Sequence, residues 1–176
     1  MSELDVAVIV GSASDLPVIN ETLKVLKNFG LSYSLNIASA HRTPNHLKNC
    51  IEISQKNGVK VFIAAAGMSA ALAGIIASET LLPVIGVPIE GKNLASLDSL
   101  LSIVQMPRGV PVAAVALGKS GAVNAAILAV QIISISDEHL RKSLKNYRKK
   151  ASQAVEHDDL MLQKDGIEKF LSPQTK

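Results

Sequence analysis

Three short segments carry residue types that could do chemistry. The first is Gly11-Ser12-Ala13-Ser14-Asp15. Gly11 lets a ligand approach the backbone, while Ser12 and Ser14 offer hydroxyl and N–H donors ahead of a helix start, an arrangement suited to phosphate. Asp15 suits a phosphate poorly, but it can accept hydrogen bonds from the hydroxyls of a ribose. An Asp or Ser at this place can equally serve as a helix cap and nothing more, and residue type alone weighs the two readings evenly. The segment is neither GxxxxGK[ST] nor GxGxxG, which disfavours nucleoside triphosphates and dinucleotides.

The second segment is Ser39-Ala40-His41-Arg42-Thr43-Pro44. An imidazole can transfer protons near neutral pH, and a guanidinium can clamp a phosphate through two parallel hydrogen bonds. A solitary surface histidine is usually inert, but the place of His41 beside Arg42, just before a helix, favours function. His46, one turn further on, reads as a solvated helix residue, and His139 and His157 fall in a charged C-terminal region where no role is expected. None of these histidines has the company a metal ion would need, so metal catalysis is not expected. The third segment runs from Ala65 through Ala66, Gly67, Met68, Ser69, Ala70, Ala71, Leu72 and Ala73 to Gly74. Its small residues would let a flat ligand lie against the backbone, and its glycines permit a mobile loop. Close packing of a helix on a sheet accounts for that composition as well, and without further context it is the preferred reading.

Each segment follows a short apolar run. Stretches 6–10, 34–38, 61–65, 84–87 and 112–117 read as strands, apolar without alternation and therefore expected to be covered on both faces of a parallel sheet. Helical spacing of apolar residues occupies 16–29, 45–57, 70–81 and 94–104 between them. Pro17 marks a helix start, and Gly30 and Gly58 follow helix ends. Alternating strand and helix predicts an α/β fold, a three-layer αβα sandwich around a five-stranded parallel sheet of flavodoxin-like order 2-1-3-4-5. Ligands bind such sheets at the carboxyl ends of the strands, at the switch point between strands 1 and 3. C-terminal helices complete the chain: an almost wholly apolar one over 121–135, expected to be buried all round, and a basic amphipathic one over 137–155. The reading is one α/β domain over 1–157, including a C-terminal helix, followed by a polar tail over 158–176.

Composition narrows the class. Of 176 residues, 48% are hydrophobic and only 3% aromatic, so the core must be built from Ala, Val, Ile and Leu. Charge is uneven: 17 of the first 135 positions carry Lys, Arg, Asp or Glu, against 16 of the last 41. A charge-poor body with a charged end fits a protein that buries surface against copies of itself. The net charge of +3 is spread over both parts, with no basic patch interleaved with aromatics, which argues against nucleic acid. Cys50 stands alone, ruling out an intramolecular disulfide or a cysteine-based zinc site. The stretches 61–78 and 120–136 are uncharged but broken by Gly and polar residues, so core segments are expected rather than membrane spans. With acids ahead of the first apolar run and no signal-peptide pattern, a cytoplasmic protein is expected.

Taken together, GSASD (11–15), SAHRTP (39–44), PVIGVP (83–88) and SIVQMPRGVPV (102–112) are specific where each alone is not. With their order and spacing, from about Val6 to Arg148, the chain resembles the PurE family, the N5-carboxyaminoimidazole ribonucleotide (N5-CAIR) mutases of de novo purine synthesis, in its bacterial class. The resemblance implies an isomerase that moves a carboxylate from N5 to C4 of an aminoimidazole ribonucleotide, without cofactor or metal. It also implies a homo-octamer with active sites at subunit contacts. His41 matches the family's general acid/base. Ser12, Ser14, Ser39 and Arg42 match its phosphate-side contacts, Asp15 its ribose contact, and Ala66 and Gly67 positions beside the imidazole and the migrating carboxylate.

One departure is plain. Mutases of this class commonly carry GGAAHLPG in the third loop, and here Ala71 replaces that histidine and Ala73 the proline. The replacement leaves room for the sister class, which carboxylates aminoimidazole ribonucleotide directly with CO2, and a non-catalytic phosphoribosyl-binding module is a third reading. The segments Ser102-Ile103-Val104-Gln105 and Met106-Pro107-Arg108-Gly109 look like the mutase class, and the reading follows them.

Overall fold

A computed structural model describes residues 4–91 and 94–171. Five parallel strands lie in the order β2-β1-β3-β4-β5. They are β1 (Val6–Val10), β2 (Tyr33–Ile37), β3 (Val61–Ala66), β4 (Val84–Pro88) and β5 (Ala113–Ala114). The helices between them are α1 (Leu16–Asn28), α2 (Pro44–Lys56), α3 (Leu72–Glu79) and α4 (Leu97–Val104), followed by α5 (Gly118–Ile133), α6 (Glu138–Asp165) and α7 (Ile167–Leu171). This is the α/β sandwich and strand order expected from the alternating pattern.

The period-2 alternation of strand side chains divides the interior into two cores. Val6, Val8, Val10, Ile63 and Val87 pack with α1, α5 and the first turns of α6 on one face. Ala7, Ile9, Phe62 and Ala64 pack with Leu47, Cys50 and Ile51 of α2, Ile76 of α3 and Ile103 of α4 on the other. β1, β3 and β4 are buried along their whole length. β2 differs from the expectation of two covered faces: as an edge strand it leaves Leu35 and Ile37 exposed.

Local chemistry sets the element ends. Gly30 and Gly58 adopt φ of 72° and 80° just past α1 and α2, the left-handed turn that a helix end favours. α3 begins at Leu72, two residues later than its apolar spacing predicts, because Met68 takes a φ of 57° and the Ala71 N–H turns back to the Ser69 carbonyl at 2.8 Å. The fifth strand is shorter than expected, with two paired residues and one further bond from the Val115 N–H to the Gly86 carbonyl at 3.2 Å. Beyond it the chain turns into α5. That helix buries one stripe rather than every face: Ala122, Ala125, Ala129 and Ile133 are enclosed while Asn124 is exposed. Its Ala122 carbonyl accepts a 2.7 Å bond from the buried Thr22 hydroxyl of α1.

The basic helix extends well past residue 155, to Asp165. Asp137 caps its start by accepting from the Leu140 N–H at 2.9 Å. Leu140 and Leu144 enter the core, and Tyr147 meets Phe29 with ring centroids 5.5 Å apart. From there to residue 160 its residues are exposed, as a peripheral solvated helix should be. Among the described residues no helix is long and apolar enough to cross a membrane.

A test of this packing lies at Gly121, where an added Cβ would overlap the Ala116 carbonyl. Alanine is favoured over glycine in a helix by about 1 kcal/mol, but forcing a methyl into tightly packed surroundings costs about 1–3 kcal/mol, and here the opposing atoms are backbone. Gly121→Ala is therefore expected to lower the urea midpoint of unfolding, whereas alanine at the exposed Asn124 should not.

Candidate active site

The loops that follow β1, β2, β3 and β4 meet at one edge of the sheet because the ladder continues past the strand ends. The Gly11 N–H donates to the Ala65 carbonyl at 3.0 Å, the Ala38 N–H to Val10 at 2.9 Å and the Ile89 N–H to Ala66 at 3.0 Å. Between the loops lies a cleft of about 620 Å³. All eight residues singled out from the sequence, Ser12, Ser14, Asp15, Ser39, His41, Arg42, Ala66 and Gly67, line it.

The first loop resolves the question of capping. Ser12 is the cap: its Oγ accepts from the Ser14 N–H at 3.4 Å and opens a 3-10 turn over Ala13–Asp15. The Asp15 side chain makes no capping bond to α1. Its Oδ1 instead lies 3.2 Å from the Ser14 hydroxyl, which also reaches Ser12 Oγ at 2.9 Å. Only 7% of Asp15 is exposed, and that burial raises its pKa above the ordinary aspartate value, although bonds from the Ser14 hydroxyl and the Ser12 backbone pull the other way.

The second loop closes on itself through Thr43, whose Oγ1 accepts from the Ser39 N–H at 2.9 Å and lies 3.2 Å from the Ser39 carbonyl. Arg42 leans across to the first loop. Its Nη2 donates to the Gly11 carbonyl and its Nε to Ser39 Oγ, both at a long 3.4 Å. It has no carboxylate partner among the described residues, so the guanidinium is available to an anion. His41 is exposed at the rim and makes no hydrogen bond to another described residue.

The third loop supplies an apolar wall of Ala66, Gly67, Ala71 and Leu72, with the exposed Met68 at its lip. The packing explanation for its small residues is therefore incomplete, since they also face the cleft. Ile89, Glu90 and Gly91, after β4, complete the lining and were not anticipated. The signal was topological: β4 neighbours β3, so whatever follows it emerges at the same edge. A second lobe of about 380 Å³ shares Gly11, Ser12, Ser39 and Arg42 with the first and adds Ala13, Ile37, Thr43 and His46. His46 is exposed, as expected, yet it borders this lobe, whereas His139 and His157 lie on the exposed face of α6. Among the described residues no three His, Cys, Asp or Glu side chains could hold a metal ion.

A doubly wound parallel sheet of order β2-β1-β3-β4-β5 with a cleft at the β1/β3 switch point defines a flavodoxin-like α/β protein. The AIR carboxylase family model matches residues 5–154. The chain is 48% identical over 167 residues to the N5-carboxyaminoimidazole ribonucleotide mutase of Pyrococcus horikoshii, covering 95% of this chain and 93% of the relative. It is 47% identical over 150 residues to the enzyme of that name from Bacillus subtilis, covering 85% and 93%. The crystal structure of Treponema denticola PurE superposes with a TM-score of 0.82 at 30% identity, covering 89% of this chain and 97% of that one. The chain belongs to the AIR carboxylase family.

The electrostatics of Asp15 give a test with a definite sign. Because its pKa is raised, the folded state holds that proton more tightly than the unfolded chain does, so ionisation costs stability as the pH rises through the folded value. Asp15→Asn is expected to be at least as resistant to urea as the parent at pH 7, with the difference vanishing below about pH 3, where both states are protonated. A variant clearly less stable at pH 7 would contradict this assignment.

Proposed function

We propose that the chain is an N5-CAIR mutase, converting 5-(carboxyamino)imidazole ribonucleotide into 4-carboxy-5-aminoimidazole ribonucleotide. The observation that carries the reading is the placement of His41 beside Arg42, which has no carboxylate partner among the described residues, in a cleft with an apolar wall. Two members of the family, aligned over 95% and 85% of the chain, bear that name.

The roles are those the family resemblance implies, and the gathering of these residues around one cleft supports them. Arg42, Ser12, Ser14 and Ser39 bind the phosphate, and the buried Asp15 accepts from the ribose hydroxyls. The imidazole lies along Ala66 and Gly67. Protonated His41 delivers its proton to the exocyclic nitrogen as the N–C bond of the carbamate breaks, with that electron pair returning to nitrogen and CO2 released. C4 of the enamine-like ring attacks the CO2, forming the C–C bond. Neutral His41 then takes the C4 proton, which restores the aromatic ring and the starting protonation state. One imidazole serves both transfers. The wall of Ala66, Ala71 and Leu72 keeps the CO2 in a dry space, so recapture is effectively intramolecular. No metal or cofactor enters this scheme.

Location in the cytoplasm and assembly as a homo-octamer belong to the same proposal; the boundary expected between 157 and 158 falls inside α6, which runs unbroken to Asp165. Self-association is supported by an apolar row on α4, where Leu97, Leu101 and Val104 are 53%, 44% and 49% exposed. Those three recur at helical spacing on one face. Leu101→Glu is expected to shift the mass seen by light scattering from eightfold the monomer to smaller species.

His41→Asn is expected to leave a folded protein that binds substrate but turns over at least about a hundredfold more slowly, the usual loss on removing an acid–base group. Near-normal turnover would sink the mechanism. Initial rates of the purified protein on N5-CAIR, and on aminoimidazole ribonucleotide with CO2, separate the mutase from the direct carboxylase. The first substrate is expected to be preferred, and preference for the second pair would overturn the class.

A further inference from the structure

The cleft is divided by charge. Its larger lobe contains both carboxylates of the site, Asp15 and Glu90. The smaller lobe contains none, and its only titratable side chains are Arg42 and His46. Three hydroxyl residues, Ser12, Ser39 and Thr43, lie around that same lobe. Arg42, Ser12 and Ser39 line both lobes, so a dianionic group meets the cation and hydroxyl donors in either, but only in the smaller one without the two carboxylates.

His46 is oriented rather than free. Its Nε2 lies 3.6 Å from the Sγ of the buried Cys50, one helical turn along α2. Burial raises the pKa of that thiol, so it remains protonated. An S–H donated to Nε2 leaves the ring proton on Nδ1, and a protonated ring carries one there as well. Both states give the imidazole a donor besides the nitrogen that faces Cys50.

We propose that His46, which borders the smaller lobe together with Arg42, is a further side-chain contact to the phosphate monoester, setting the preference for phosphorylated over unphosphorylated ligands. The inference rests on the reading of this cleft as a ribonucleotide site, but it concerns a residue to which that reading gives no part. His46 would act on binding and not on the proton transfers, which belong to His41.

The test uses the full-length protein with His46→Ala, an exposed helical position where alanine is compatible with the fold, and His46→Lys as the variant that restores a cation. Calorimetric titration with ribose 5-phosphate and with ribose reads the phosphate contact without any turnover. Loss of one partly exposed charge-assisted hydrogen bond is expected to weaken ribose 5-phosphate binding to His46→Ala by about tenfold. The affinity for ribose should be unchanged, and His46→Lys should recover most of the loss. In steady-state assays on N5-CAIR, KM should rise by a similar factor with kcat within about twofold of the parent, as for loss of uniform binding. Unchanged ribose 5-phosphate affinity in His46→Ala, or an equal loss for ribose, overturns the proposal. Should the parent fail to turn over N5-CAIR, the activity reading falls, while the titrations still decide the role of His46.

Discussion

The functional edge depends on strand register. Val10 pairs with both Ile37 and Ala65, and Ala65 with Val87, so β2, β1, β3 and β4 finish level with one another. A one-residue slip in any pair would turn every side chain of that strand to the opposite core, and it would carry a whole loop away from the cleft. The register is pinned at the other end of the sheet by Asp5. Its carboxylate accepts from the Ser32 N–H and hydroxyl ahead of β2 and from Lys60 Nζ ahead of β3, all within 3.0 Å. Burial works against the charged form, but these partners outweigh it and hold the Asp5 pKa below the ordinary value. Fixed charge at one end of the strands thus leaves the other end free to face a ligand.

Much of this could be read from the sequence because parallel sheets leave strong signals. Continuous apolar runs identified β1, β3 and β4, whose two faces are both covered. The same rule overstated β2, since an apolar run carries no information on whether a strand ends up at an edge. The apolar content of α5 likewise exceeded what its own fold buries: Val123, Ile127 and Leu128 are only half-buried. The loop residues were legible for a different reason. Hydroxyl, guanidinium and imidazole groups directly after apolar strands marked the lining of a cleft, while capping and lining at Ser12 and Asp15 were separated only by geometry. The places of Glu90 and His46 along the cleft escaped because they depend on which loops become neighbours and on how the cleft extends around Arg42.

Capping shows how geometry decides what residue type leaves open. Ser12 and Asp15 are both good N-cap residues, and a single capping group is enough for the turn they share. Once Ser12 Oγ takes the Ser14 N–H, Asp15 is left with a nearly enclosed carboxylate whose strongest local bond comes from the Ser14 hydroxyl. A buried aspartate that neither caps nor pairs with a cation costs stability. Its place in the wall of the cleft fits the proposed role as acceptor for ribose hydroxyls, a trade of stability for function.

The replacement of the familiar histidine by Ala71 can be weighed in the same way. CO2 carries no net charge and no hydrogen-bond donor, and holding it requires exclusion of water more than polar contacts. Ala66, Ala71, Leu72 and Ile89 present apolar atoms to the cleft, and none of them competes for a proton. An imidazole at position 71 would add a titratable group facing the reacting ring; a methyl there leaves His41 as the one histidine in the larger lobe. In the proposed function phosphate is bound by Arg42, which already bridges the first two loops through the Gly11 carbonyl and Ser39. The proposed function thus gives the binding of charge and the movement of a proton to different side chains on adjacent positions of one loop, and leaves the apolar wall only to keep the released CO2 close to C4. That division lets the third loop lose its histidine without removing a group the proton transfers require.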